Sequence, residues 1–214
     1  MKKILLLLLV FISIESYSQK LSVGLTGGYD IASFADKNDN SDLSISHINV
    51  FNIGGIAEYN WAHNFYIQSG LLFSQKGTNE SSPWFGFSGT IKLSYLDIPV
   101  NLEYKTNLNK QVKALLGAGF YVSRGISGTQ KGTDSTNLGT TVVNSSVHFT
   151  NNSTDNLSIQ PFDFGFDAFA GIEWKGFQLK FNYSRGLTNM YPVGTTKFFN
   201  QTIGFSAGYL VKIK

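Results

Sequence analysis

From residue 162 to residue 174 the even positions are all apolar: Phe162, Phe164, Phe166, Ala168, Ala170, Ile172 and Trp174. Asp163, Asp167 and Glu173 fall on the odd positions, together with Gly165 and Gly171. A period of two sustained over this length predicts a β-strand with one greasy and one polar face. Glycine suits a cramped space and a carboxylate needs water or a partner. The polar face is therefore expected to line a narrow barrel interior, and the bulky face to meet lipid.

The same kind of pattern marks eight candidate strands: 21–30, 52–61, 65–76, 91–105, 112–123, 162–174, 177–185 and 201–212. Only the fourth contains a proline, Pro99, which predicts a bulge or a break in the ladder. Its apolar parity also changes, from odd at Ile91 and Leu93 to even from Leu96 to Tyr104, and one extra residue near Tyr95 would account for that. Short connections (62–64, 106–111 and Lys175-Gly176) alternate with long ones (29–51, 77–90, 124–161 and 186–200). Strict alternation of this kind, with strands of at least the roughly 9–11 residues that cross a bilayer at a tilt, predicts an all-β, eight-stranded, antiparallel up-and-down transmembrane barrel. An even strand number places both termini on the periplasmic side of a bacterial outer membrane. The Ser/Thr/Asn-rich segment 124–161 is expected to be mobile, with 141–143 and 147–149 able to pair as a small hairpin.

Composition adds limits. Lys2 and Lys3, the apolar run Ile4 to Ile12 and the small-x-small site Ser16-Tyr17-Ser18 have the form of a cleaved signal peptide over residues 1–18, which leaves 19–214 as the barrel domain. An N-terminal membrane anchor is the alternative. Without residues 1–18 the chain carries 15 basic and 13 acidic residues, too balanced to suggest nucleic acid. There are 0 cysteines, which excludes disulfides, thiolate metal sites and cysteine nucleophiles.

The candidate functional residues are the charges assigned by parity to the interior: Glu58, Asp97, Glu103, Lys113, Asp163, Asp167, Glu173 and Lys180. An eight-stranded barrel is only wide enough inside for side chains, so these are expected to pair into a plug rather than line a pore. A symmetric 106–110 turn would set Glu103 opposite Lys113. Across the Lys175-Gly176 turn, Glu173 and Lys180 become diagonal neighbours. Trp61, Phe65, Tyr104, Trp174 and Phe177 flank the short turns as an aromatic girdle, with Tyr29, Phe73 and Phe120 toward the long loops. The run Asp36 to Asp42 resembles half of a calcium loop. It has Ser41 where the glycine belongs and His47 where the closing glutamate belongs, so a solvated polar loop is the competing reading. His47, His63 and His148 have no metal spacing, Gly-x-Ser-x-Gly is absent, and neither a cofactor nor an enzymatic activity is expected.

Tyr95-Leu96-Asp97-Ile98-Pro99 through Glu103-Tyr104-Lys105 resembles a signature of the PorT-like outer-membrane β-barrel proteins. Leu115 to Tyr121, Asp163 to Trp174, Tyr183 to Asn189 and Val23 to Gly28 are similar to further segments of that family. Two departures stand out: no proline precedes Tyr121, and the chain ends Tyr209-Leu210-Val211-Lys212-Ile213-Lys214 without a terminal aromatic. The resemblance implies an outer-membrane barrel and little about activity. The expected protein is thus a non-enzymatic, monomeric barrel in outer-membrane lipid, with a closed polar lumen and long extracellular loops for binding or envelope assembly. Two alternatives remain open: a soluble periplasmic barrel holding a small apolar ligand, and a component of a protein-secretion assembly.

Overall fold

The computed structural model describes residues 20–36, 44–82, 87–136, 139–151, 158–191 and 197–213. The expected signal peptide, and the calcium-like run apart from the backbone of Asp36, lie outside them. The strands are β1 (Leu21–Asp36), β2 (Ser44–Ser46), β3 (Ile48–Ala62), β4 (Phe65–Ser82), β5 (Phe87–Asn107), β6 (Val112–Thr136), β7 (Gly139–Ser146), β8 (His148–Phe149), β9 (Ser158–Ile159), β10 (Phe162–Trp174), β11 (Phe177–Gly186) and β12 (Phe198–Lys212). Eight of them, in the order β1-β3-β4-β5-β6-β10-β11-β12, pair antiparallel with their neighbours, and β12 returns to β1 to close the ring. The closed ladder leaves no strand edge within the barrel wall.

The short connections are tight for local reasons. Lys175 (φ 49°) and Gly176 (φ 91°) are both left-handed, and Trp174 faces Phe177. A two-residue hairpin with both central φ positive matches the natural strand twist. His63 (φ 34°) turns β3 into β4, where Asn60 Nδ2 donates to the His63 carbonyl at 3.1 Å and Trp61 is an extra residue in the ladder. Between β5 and β6, Asn109 Oδ1 accepts from the backbone N–H groups of Gln111 (2.9 Å) and Val112 (2.8 Å). That turn sets Asn107 opposite Lys113 and Glu103 opposite Gly117, so the expected Glu103–Lys113 apposition does not form.

At the other end the strands run on past their expected limits. β4, β5 and β6 rise together, and β2 and β7 join their margins to make a tall outer sheet. The expected hairpin between 141–143 and 147–149 is replaced: β7 pairs with β6, and β8 pairs with β9 in parallel. Nor is this region only a polar loop. Phe34, Ile91, Leu93, Tyr95, Val147, Ile159, Met190 and Phe198 form a buried apolar cluster over the lumen, with Ile45, Phe149 and Tyr191 packed against it.

This cap explains the parity change in β5 without an extra residue there. Odd positions point inward along all of β5, from Ile91, Leu93 and Tyr95 through Asn101 and Glu103 to Lys105. What changes is the medium on either side, from an apolar cap interior to a polar lumen. A bulge does lie beside Tyr95, but on β6: Ser94 faces Ser127 and Tyr95 faces Gly125, which leaves Ile126 unpaired. The break at Pro99 is present, since the β4–β5 register passes from Ser69–Val100 to Leu72–Asp97 with the residues between unpaired. Ser69 Oγ donates to the Pro99 carbonyl at 2.8 Å.

Candidate functional site

On β10, Asp163, Gly165, Asp167, Gly171 and Glu173 face inward as expected, while Phe162, Phe164, Ala170, Ile172 and Trp174 are exposed on the outer surface. Phe169 shares the inward face and fills the space left by Gly117, where an added Cβ would collide with its ring. The inward charges collect in two layers.

The layer nearest the short turns centres on Lys105. Its Nζ lies 2.6 Å from Glu58 Oε2, in hydrogen-bond contact with Glu173 Oε2 and 3.8 Å from Glu103 Oε1. Gln178 Nε2 donates to both Glu58 (3.3 Å) and Glu173 (3.1 Å). Lys113 adds an ion pair to Glu173 at 3.3 Å. Lys180 pairs with Glu103 at 3.4 Å and donates to Gln68 Oε1 at 3.0 Å. Glu173 and Lys180 are diagonal neighbours in register but take different partners. The layer balances three carboxylates against three ammonium groups.

The second layer lies under the cap and centres on Lys76. Its Nζ is 3.2 Å from Asp163 Oδ2, 3.0 Å from Ser123 Oγ and 3.8 Å from Asp97 Oδ2, and it sits over the rings of Tyr121 and Tyr95. Asp163 Oδ2 also accepts from Tyr121 (3.1 Å) and Asn200 Nδ2 (2.8 Å). Ser74 donates to Asp97, Ser184 to Asp167, and Asn52 to Asp30.

Between the layers is a cavity of about 120 Å³ lined by Gln68, Asn101, Asp167, Lys180, Asn182 and Ser184 among others. Gln68 Nε2 and Asn101 Oδ1 are buried there with no hydrogen-bond partner among the described residues. A polar cavity of this size suits ordered water. A soluble barrel with an apolar ligand would need the reverse facing, with the acids outside.

All eight expected lumen residues thus turn inward, although Lys113 remains one-third exposed at the rim. Lys76 and Lys105, the two central cations, are absent from the expected set. Both were legible: Lys105 shares its parity with Glu103, and Lys76 shares that of Gln68. The girdle residues Trp61, Phe65, Tyr104, Trp174 and Phe177 all point outward, 39–60 % exposed. Phe65 packs on Tyr104 (5.2 Å between ring centres) and Phe177 on Tyr209 (4.5 Å). Tyr29 and Phe120 are exposed toward the cap, and Phe73 packs against Phe51. His47, His63 and His148 are all exposed, and His148 opens β8 rather than lying in a loop. No group of three or more potential metal ligands occurs among the described residues.

In the cap, Glu80 is buried, and its Oε1 has no hydrogen-bond partner among the described residues. Burial raises its carboxyl from the ordinary glutamate range to about 7.

A closed ring, charges inside and an exposed apolar belt with aromatics at its margin define an outer-membrane-type β-barrel. The family model "Outer membrane protein beta-barrel domain" matches residues 17–191, and the chain belongs to that family, whose place is the bacterial outer membrane. No curated protein matches. Among solved structures, the chain is similar to the outer membrane protein OprG from Pseudomonas aeruginosa (11 % identity, 90 % of this chain and 97 % of that one, TM-score 0.48). It is also similar to Neisserial surface protein A (12 % identity, 87 % and 96 %, TM-score 0.45).

Proposed function

We propose that the chain is a non-enzymatic, monomeric integral outer-membrane barrel of the PorT-like kind. In this reading the lumen is sealed, and its work is done by the capped end in binding or envelope assembly. The observation that carries it is the division of labour along the axis. The interior is cross-linked by two layers of ion pairs, whereas the built-up surface lies at the long-connection end. Cleavage of residues 1–18, both termini in the periplasm and the capped end outside complete the proposal. Outer-membrane lipid surrounds the belt, and an envelope or secretion protein meets the cap.

Two measurements test it. Purified protein in planar bilayers is expected to give no discrete conductance steps, and regular openings would sink the sealed lumen. Crosslinking in whole envelopes, from single cysteines placed at Lys131 or Lys92, is expected to capture a specific envelope protein. Recovery of the bare barrel from every cap position would confine its role to structure.

A further inference from the structure

Strand β7 is the last strand of the tall outer sheet among the described residues. The Val147 N–H donates to the Gly128 carbonyl at 3.0 Å, which fixes the hydrogen-bonding phase of the ladder. Residues 143 and 145 then spend their backbone groups on β6, while the N–H and C=O of Val142, Asn144 and Ser146 point away from it. No backbone partner for these three residues occurs among the described residues. Their side chains are exposed, Val142 at 77 %.

Edges of this kind are normally blunted by lysine, proline, a bulge or extreme shortness. Strand β7 has none of these: Gly139–Ser146 reads Gly-Thr-Thr-Val-Val-Asn-Ser-Ser, eight residues without charge or proline. Its β-branched centre favours an extended conformation. The strand also stands clear of the apolar belt, above the level at which Arg124 pairs with Phe162.

We propose that β7 is a docking edge for an extended, uncharged segment of another protein, which adds to the outer sheet as one further strand. Affinity would come from main-chain hydrogen bonds to Val142, Asn144 and Ser146, and selectivity from small or β-branched side chains beside Val142 and Val143. A second copy of this chain is the poorer occupant. Copies in one bilayer point the same way, so rotation about the membrane normal brings two β7 edges together only in parallel, the less stable pairing.

The test uses the full chain in detergent micelles and a labelled peptide with the sequence of residues 139–146 and two added lysines for solubility. In antiparallel register this peptide is complementary to the edge. Saturable binding by fluorescence anisotropy is expected, with amide exchange slowed at Val142, Asn144 and Ser146 and not at Val143. Asn144→Pro removes one outward N–H and no β6 hydrogen bond, so it should weaken binding at least tenfold while Asn144→Ala binds like the wild type. Several outcomes would overturn the proposal: no saturable binding by protein shown to be folded, equal binding by Asn144→Pro, or protection of the three outward amides before any peptide is added. Self-association of the wild type that Asn144→Pro abolishes would also overturn it, by making a second copy the occupant.

Discussion

The barrel wall and the cap are built from the same strands, yet they obey opposite rules. In the wall, β5 turns Asn101, Glu103 and Lys105 inward and exposes Ile98, Val100 and Leu102. In the cap, the same strand buries Ile91 and Leu93 and turns Lys92 to the outside. The pleat does not change sense between them. Which side of a strand is apolar therefore reports the medium on that side, and only the backbone register reports facing.

The largest effect is expected from removing the cation that three carboxylates share. Lys105→Met leaves Glu58, Glu103 and Glu173 facing one another in the lumen. Loss of one partner from a buried ion pair costs about 3–5 kcal/mol. Urea unfolding in lipid vesicles should show it, and a stability equal to wild type would mean that the layer is hydrated enough to dispense with pairing. Next in size is Ala170→Lys, which puts a charge on the outer face of β10. At mid-depth in a bilayer that costs about 2–4 kcal/mol and should lower the yield of inserted barrel. The same residue placed at the exposed Thr133 of the cap should insert normally, and equal yields from the two would remove the distinction between wall and cap.

The cap should also respond to pH where the wall does not. Glu80 binds its proton more tightly folded than unfolded, since its carboxyl is raised to about 7. Between about pH 4.5 and 7 the folded cap therefore holds a proton that the open cap releases. Cap stability is fullest below that window, falls as pH rises through it, and is level above it. Glu80→Gln should flatten this dependence: the protection factors of the cap amides, which remove the intrinsic pH dependence of exchange, should fall by roughly 10- to 100-fold between pH 5 and pH 8 in the wild type and stay level in the variant. The smallest effect expected is that of Ile91→Val in the apolar cluster, about 0.5–1.5 kcal/mol, confined to exchange in the cap and invisible to unfolding of the barrel.

The eight barrel strands were legible because each alternates strongly over its full width, and the Lys175-Gly176 turn because its chemistry fits only one hairpin type. The cap was not. Val147, Ile159 and Met190 lie in short segments with no sustained alternation, and no period joins them; they meet only through the fold. The bulge at Ile126 was equally silent, because Gly125, Ser127 and Gly128 flank it and carry no alternation to disturb. The inward facing of the lumen charges followed from parity, but their partners did not. Glu103 moved away from Lys113 because Asn109 folds a turn that no parity rule anticipates, and the pairs Lys76–Asp163 and Lys180–Glu103 span the barrel rather than adjacent strands.

Lys105 carries one further consequence, for the order of events during assembly. Its carboxylate partners come from β3, from its own strand and from β10, and Glu173 lies 68 residues away along the chain. A sheet that has reached only β6 holds the lysine and two glutamates but lacks the third glutamate and the Gln178 bridge. The last stretch of chain thus completes a circuit that the first stretches leave open. Contacts so distant in sequence form late, and a charged layer short of its partners is penalised in an apolar surrounding. Closure around a shorter set of strands would leave Lys113 without Glu173 and Glu103 without Lys180, so the interior favours the full strand count while the barrel is being made.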